Sequence, residues 1–537
     1  MFINKIKMHK TALCVMTVLL AGCNSSSNST DDKTTPTGRW MTGDLHVHST
    51  VSSDARDTMI DILYHAFDEF NLDYVFFSNH MRDSSQDHQD NNIGKQLYYE
   101  AMRDYELPEI KYLKNRLYEN KIINTTFEWD MPGHEHYNIG LIGSPEQQET
   151  ILEAVKLFEY KFSYQNSIDL FDSADIARWN ELGIKRYNGE DKDQAGKHQD
   201  AIKALAWLQE NYSDSSYGLL NHPLRYENSY TIADIRDLNS AAPDVFFLVE
   251  GMVGGQFGNG RGDYSLSGGS AGVFGGVDPV VAEVGGWWDA LLSEGRKIWN
   301  VANSDHHFKI REPYTSSYYP GEYAKNYTFV KGENEQAILE GLRSGQSFAA
   351  YGDLINALDF TISTNGKQAS MGDEAHASSG DEVTITVRFK SPESNNLEIS
   401  AGDGYFGIGD NPGVHHVDLI AGAVTGMIDA NSPEYDSANN SDAKVVKSFT
   451  ESDWKLDGDG FFTMSYTFEA ARDEYYRLRG TALDYNVDGL TVDGEPQKWL
   501  GLDKGTDESD LAFRNRVNKR TYQDVWFYSN PVYLSLM

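Results

Sequence analysis

The chain has 537 residues, of which 40% are hydrophobic, with 46 basic against 81 acidic side chains and a formal charge of −35. That length and apolar content are enough for two or three domains with cores of their own. The acidic excess repels phosphate backbones, which excludes long nucleic acid and anionic membrane surfaces as docking partners, and it suits a salty environment.

Reading from the start, Lys5, Lys7 and Lys10 form a basic patch ahead of an apolar stretch, 11–20, too short to span a bilayer. Leu20-Ala21-Gly22-Cys23 follows and looks like a bacterial lipobox, so residues 1–22 are expected to be a signal peptide and Cys23 the lipidated first residue of the mature chain. The two cysteines are Cys14 and Cys23, so this processing leaves no free thiol and no disulfide. Residues 23–38, rich in Ser, Asn, Thr and Asp, are expected to be a flexible tether. The protein is thus expected outside the cytoplasm, held to a membrane only through its lipid. Asn24 directs it to the outer membrane if the organism is Gram-negative.

From 39 to 352 the pattern alternates strands and helices. Strands are expected near 40–45, 72–78, 122–127, 137–142, 217–220, 245–249 and 298–302, with helices at 58–70 (capped by Asp57), 108–119, 201–210 and 287–294. This predicts a mostly parallel α/β arrangement, open or closed into a barrel. The polar residues fall where strands stop: Asp44-Leu45-His46-Val47-His48, Asn79-His80, Glu128, His136, Asn221-His222-Pro223, Glu250 and Asp305-His306-His307. Strand side chains alternate, so His46 and His48 face one way, as two ligands of one metal site must. The Gly-rich stretch 251–276 reads as a loop over the site, and its Arg261-Gly262-Asp263 as a chance tripeptide.

Beyond 353 the character changes to alternating strands such as 383–389 and 461–468, which predicts an antiparallel β-sandwich over 353–537. His415 and His416 read as a surface pair. Asp484, Asn486, Asp488 and Gly489 give a D-x-N-x-D-G opening, with the Leu490 carbonyl and Glu495 at the remaining ligand positions. Two readings stay open there, a structural calcium loop without flanking helices or plain acidic turns.

The order of the strand-end motifs resembles the PHP superfamily, named for polymerase and histidinol phosphatase, over roughly residues 40–350. That resemblance implies a distorted (β/α)7 barrel and a two- or three-metal site, and clustered His and carboxylate ligands without Cys suit Zn, Mn or Fe. Matched position by position, it implies His46, His48, Asp54, His80, Glu128, His136, His222, Asp305 and His307 as the ligands. Among these, Asp54, Glu128 and Asp305 hold the metals where water is activated as the nucleophile. His134, Glu250 and His306 stand beside the set, His306 facing away. One departure is Asn79, where the family has Asp; an Asn orients a neighbouring histidine less firmly.

Clustered cations acidify bound water from a pKa of about 15.7 toward about 7 and stabilise oxyanions, which makes a hydrolase the expectation. Arg82 and Arg225, just after His80 and His222, are expected either to greet a phosphate or to form salt bridges. The leading expectation is hydrolysis of phosphomonoesters or small phosphodiesters. The alternatives are amide or carbamate hydrolysis on the same metals, and a surface binding lipoprotein without turnover.

Overall fold

The computed structural model describes residues 38–143, 147–166, 168–255, 261–264, 269–308, 318–394 and 411–537. The expected signal peptide, the expected lipidation site Cys23 and nearly all of the expected tether lie outside these residues. Residues 38–537 form one compact unit.

Two sheets carry the N-terminal half. In the first, Arg39–Val47 runs parallel to Tyr74–Phe77, which runs parallel to Ile122–Thr125. In the second, Ser216–Leu220, Phe246–Val253 and Trp299–Asn303 are parallel neighbours. Of these, Tyr74–Phe77, Ser216–Leu220 and Phe246–Val253 are mostly apolar and buried along their whole length, the pattern expected of strands covered from both sides. Single bridges join the sheets at their ends, Val47 to His306 and His80 to Glu128. The expected barrel is therefore not a closed ring of paired strands among the described residues. Two sheets instead meet along the edge where the parallel strands finish.

His136–Leu141 departs from the parallel scheme. It pairs antiparallel with both Phe127–Asp130 and Ser216–Leu220. Its first residue therefore lies at the edge where its neighbours end, which is how a histidine that begins a strand joins residues that close theirs. The helix after the first motif also differs from expectation. Thr58, not Asp57, caps it by accepting from Asp61 N, and after Leu63 it continues as a π-helical turn, Tyr64–Glu69.

The first sheet does not stop at residue 352. Ala324–Val330 pairs with Arg39–Val47 on one side and Ser347–Tyr351 on the other, and Ser347–Tyr351 then pairs with Trp526–Ser529. From there the sheet continues through Glu474–Thr481 to Val532–Leu536 and His416–Ala423. A separate antiparallel sheet, centred on Ala357–Thr364, Glu382–Lys390 and Phe462–Glu469, supplies the other layer of the β-rich region. Its alternate residues Leu358, Phe360, Ile362, Val383, Ile385 and Val387 are buried in the common core.

Buried ion pairs fasten the β-rich region to the rest. Arg477 grips Asp289 through two bonds of 2.7 Å, with both side chains fully buried. Arg236 donates to Glu294 at 2.7 Å and to the Ser437 carbonyl at 3.0 Å. Removing one partner of such a pair leaves a buried charge alone, at a cost of about 3–5 kcal/mol.

The C-terminal region bears on several expectations. Glu495 is held by Arg479, and Asn486 Oδ1 accepts from Asp493 N at 3.0 Å. Thr491–Val492 and Glu495–Pro496 pair as a short hairpin. The twelfth residue of the D-x-N-x-D-G turn, Glu495, is thus turned onto a guanidinium. His416 is no surface residue; it is buried and stacks on Tyr485 at 4.5 Å, beside the half-exposed His415. Arg261 is also buried, donating to Tyr323 and Asp524, so the Arg-Gly-Asp tripeptide cannot present its arginine.

Candidate metal centre

All nine residues matched to the resemblance converge on the edge where the two sheets meet. Glu128 sits at the middle. Its Oε1 lies 3.1 Å from His46 Nε2, 3.1 Å from His136 Nδ1 and 3.5 Å from His222 Nε2. Its Oε2 lies 2.9 Å from His80 Nδ1 and 3.3 Å from His48 Nε2. Asp305 Oδ1 closes one side, 3.1 Å from His46 Nε2 and 3.6 Å from His307 Nδ1. Asp54 closes the other, 3.1 Å from His80 Nε2 and 3.9 Å from His307 Nε2. Asp54 is the most exposed of the set, at 45% for its side chain, whereas His46, His48 and His222 are fully buried.

The backbone bends sharply to make this convergence. His222 and Asp305 have φ of 28° and 49°, a region that non-glycine residues seldom enter. Each follows the end of its strand, and the bend turns the side chain inward across the sheet edge. For His222, Pro223 follows and further disfavours ordinary helical geometry. Strain of this kind persists where the surroundings hold it, and it gathers at functional sites.

The residues fit divalent cations. His46 Nδ1 meets Glu250 Oε1 at 3.0 Å; a carboxylate accepts, so the proton sits on Nδ1 and Nε2 offers a lone pair to the centre. His307 Nδ1 likewise donates to the Asp305 carbonyl at 3.0 Å, leaving Nε2 for a ligand. The Nε2 atoms of His46 and His48 face each other at 3.1 Å. Both ring nitrogens of His222, Asp305 Oδ1 and Glu128 Oε2 are buried without a hydrogen-bond partner. Buried polar atoms are costly when unsatisfied, and a cation satisfies all of these together. The ligand atoms fall into overlapping triads, including His46/His222/Asp305, His48/His80/His307 and His80/Glu128/His136, whose members lie within 4.8 Å of one another.

Outer residues fix the ligands, and most of them carry no spacing signal in the sequence. Glu250 also accepts from His222 N at 3.2 Å and from Asn303 at 2.8 Å, so it orients two motifs at once. Asn221 donates to Glu128 Oε1 at 2.6 Å. Asn79 does not touch a histidine ring. Its Oδ1 accepts from Ser49 N at 2.8 Å and Ser52 Oγ at 3.0 Å, and Ser52 in turn meets His48 Nδ1 at 3.2 Å. Its amide donates to the buried Glu106 at 2.9 Å. His306 faces away, as expected, onto Asp57 and the Tyr318 carbonyl, each at 3.0 Å.

Both arginines resolve into salt bridges that border the site. Arg82 pairs with Asp130 and stands 3.2 Å from His136 Nε2; Arg225 pairs with Asp305. They line a cleft of about 310 Å³ together with Asp54, His80, Glu128, His136, Asp305, His307 and Phe308.

Burial opposes charge on His46 and His136, but surrounding carboxylates outweigh it and raise both above the ordinary histidine range. Burial likewise opposes charge on Glu128, yet the His136, His46 and His80 rings hold it well below the usual carboxylate range. Burial drives His307 the other way, down to about 3. Without metal, His46, His80 and His136 thus hold protons more tightly than free imidazoles, and cations must displace them. Loading zinc at pH 7 is expected to release protons, seen as a binding enthalpy that changes with the ionisation enthalpy of the buffer. A buffer-independent enthalpy would contradict this picture.

No family model matches the chain, and no curated protein matches it. Among solved structures, it is similar to a two-domain protein from Bacteroides vulgatus ATCC 8482 described as containing a predicted PHP-like metal-dependent phosphoesterase. The identity is 11%, the match covers 87% of this chain and 94% of that one, and the TM-score is 0.32. An overlap that low transfers neither fold nor chemistry, which rest on the side-chain geometry. What that geometry supports is metal-dependent hydrolysis in general: a cleft open to substrate, floored by histidine and carboxylate ligands.

Proposed function

We propose that the protein is a metal-dependent phosphoesterase acting on phosphomonoesters or small phosphodiesters, held outside the cytoplasm by a lipid on Cys23. The observation that carries the ester reading is the pair Arg82 and Arg225 at the rim of the cleft, beside the ligand cluster. Asp130 and Asp305 fix the two guanidiniums at the rim, where their positive charge favours an anionic group. A neutral amide or carbamate gains less from such a rim.

His46, His48, Asp54, His80, Glu128, His136, His222, Asp305 and His307 would hold two or three divalent ions. Bound there, the ions supply acidified water and compensate the charge that develops on the phosphoryl oxygens. The chain's own part is to orient. Glu250 keeps the proton of His46 on the nitrogen away from the centre. Asn221 holds one oxygen of Glu128, and Arg225 steadies Asp305 at the cleft edge. The cleft is small, which favours compact substrates over polymers.

The test is metal content of the purified protein, paired with hydrolysis of p-nitrophenyl phosphate and bis-p-nitrophenyl phosphate, for wild type and His48→Ala. Two or three transition metals per chain, ester turnover, and loss of both in the variant are expected. Metal without turnover of either ester shifts the reading to amides or carbamates. Absence of tightly held metal sinks it.

A further inference from the structure

A second group of metal-type donors lies outside the cleft. His134 sits in the turn between Phe127–Asp130 and His136–Leu141, His198 lies on the helix Gln194–Tyr212, and Asp234 is in the first turn of the helix Ile232–Ala241. One donor atom from each lies within 4.8 Å of the others. His134 Nε2 and His198 Nδ1 face each other at only 2.8 Å.

The hydrogen bonds around the rings place their protons. His134 Nδ1 is 2.9 Å from the Ser229 carbonyl, which can only accept, so Nδ1 carries the hydrogen and Nε2 the lone pair. His198 Nε2 is 3.3 Å from an oxygen of Asp237, whose other oxygen accepts from the Tyr435 hydroxyl at 2.8 Å. That makes His198 Nε2 the donor and leaves the lone pair on Nδ1. Two lone pairs therefore point at each other across 2.8 Å, an arrangement that repels unless something positive lies between them.

Asp234 completes the set. Its Oδ2 is occupied by Thr231 in the helix cap, accepting from backbone and hydroxyl at 2.8 and 2.7 Å. Its Oδ1 is turned to His198 Nδ1 at 3.5 Å. We infer that His134 Nε2, His198 Nδ1 and Asp234 Oδ1 bind one zinc-class divalent ion, separate from the ions of the cleft. A carbonyl behind one ligating histidine and a carboxylate behind the other are what metal-bound imidazoles require. At the usual zinc–nitrogen distance of about 2.0–2.1 Å, 2.8 Å between nitrogens subtends roughly a right angle, and a few tenths of an ångström of widening reaches tetrahedral geometry. His134 and Asp234 are part-exposed, so water can fill the fourth position.

The role that follows is positional. The ion ties the turn at His134 to two helices, two residues before His136 enters the cleft. Tyr230 reinforces the same turn, stacking on His134 at 4.7 Å and donating to the Glu135 carbonyl at 2.9 Å.

The experiment is anomalous diffraction at the zinc edge on crystals of the full chain grown with zinc, for wild type, His198→Gln and Asp234→Asn. A peak between His134 Nε2 and His198 Nδ1 is expected in wild type. It should vanish in His198→Gln and weaken in Asp234→Asn, while peaks around Glu128 remain. In solution, His198→Gln should bind one equivalent of zinc fewer than wild type. No wild-type peak at this place overturns the inference whether or not the cleft is filled, because the rings must then share a proton. A peak that persists unchanged in both variants also overturns it, since other groups would be the ligands.

Discussion

Replacing Glu128 with alanine is expected to strip the protein of tightly held divalent metal and to lower ester hydrolysis by about a thousand-fold or more, because activated water is lost with the ions. No other residue of the centre meets as many ligands. His46, His48, His80, His136 and His222 all lie within 3.5 Å of its two oxygens. Without the carboxylate, the protons held by His46, His80 and His136 lose a nearby counter-charge, so the metal-free variant should also melt at a lower temperature than the metal-free wild type. Metal analysis, p-nitrophenyl ester hydrolysis and thermal melts of the two apo proteins check this. A variant that retains metal and turnover would falsify the central role of Glu128.

The second large effect runs against intuition, since Asn79→Asp restores the residue that the family resemblance expects and should nevertheless destabilise this protein. Asn79 spends its amide on Glu106 Oε1 at 2.9 Å and Ser49 Oγ at 3.0 Å. An aspartate has no such donor and sets a second carboxylate against the first, in a fully buried place. Loss of those bonds costs about 1–3 kcal/mol. The pH dependence identifies the cause. Burial, against hydrogen bonds from Thr125, Asn79 and Tyr98, raises Glu106 from 4.5 to about 7. The folded state therefore holds this proton more tightly than the unfolded state. The resulting stabilisation is complete below pH 4.5 and is lost as pH rises toward about 7. A new carboxylate raises Glu106 further, so the decline in stability of Asn79→Asp should extend above pH 7, where wild type has already levelled off at this group. Chemical denaturation across pH 5–9 reads this directly. Equal stability at all pH values would show that Asn79 and Glu106 are not coupled.

Much of the centre is legible in the chain because metal ligands must sit where strands end. His46 and His48 carry a period of two, His80 and Glu128 close apolar runs, and Asp305 and His307 follow another. The elements themselves are legible for the same reason, since fully apolar strands announce both their length and their burial. What escapes is whatever depends on a partner far along the chain. Asn79 is adjacent to a ligand, so proximity suggests that it orients His80, but the fold spends it on Glu106 and Ser52. The D-x-N-x-D-G turn shows the converse, for Asp, Asn and Gly are as much turn residues as calcium ligands. Its neighbour Arg479, on a strand, engages Glu495, a contact the spacing of the turn does not reveal. His198 and Asp234 give no signal because each lies within an ordinary helix and meets His134 only in three dimensions.

The pairing of Ser347–Tyr351 with Trp526–Ser529 has a kinetic meaning. The sheet that carries His46 and His48 reaches its full width only when a strand some 180 residues downstream arrives. During synthesis that edge stays unpaired while most of the β-rich region is made. Contacts so distant along the chain make folding slow, because loop closure must precede the reward. An unpaired edge flanked by Phe348 and Tyr327 is meanwhile a template for the wrong chain. A C-terminal truncation near residue 520 should accordingly leave the ligand residues untouched and still yield aggregates, and refolding from denaturant should proceed in a single late step for both halves.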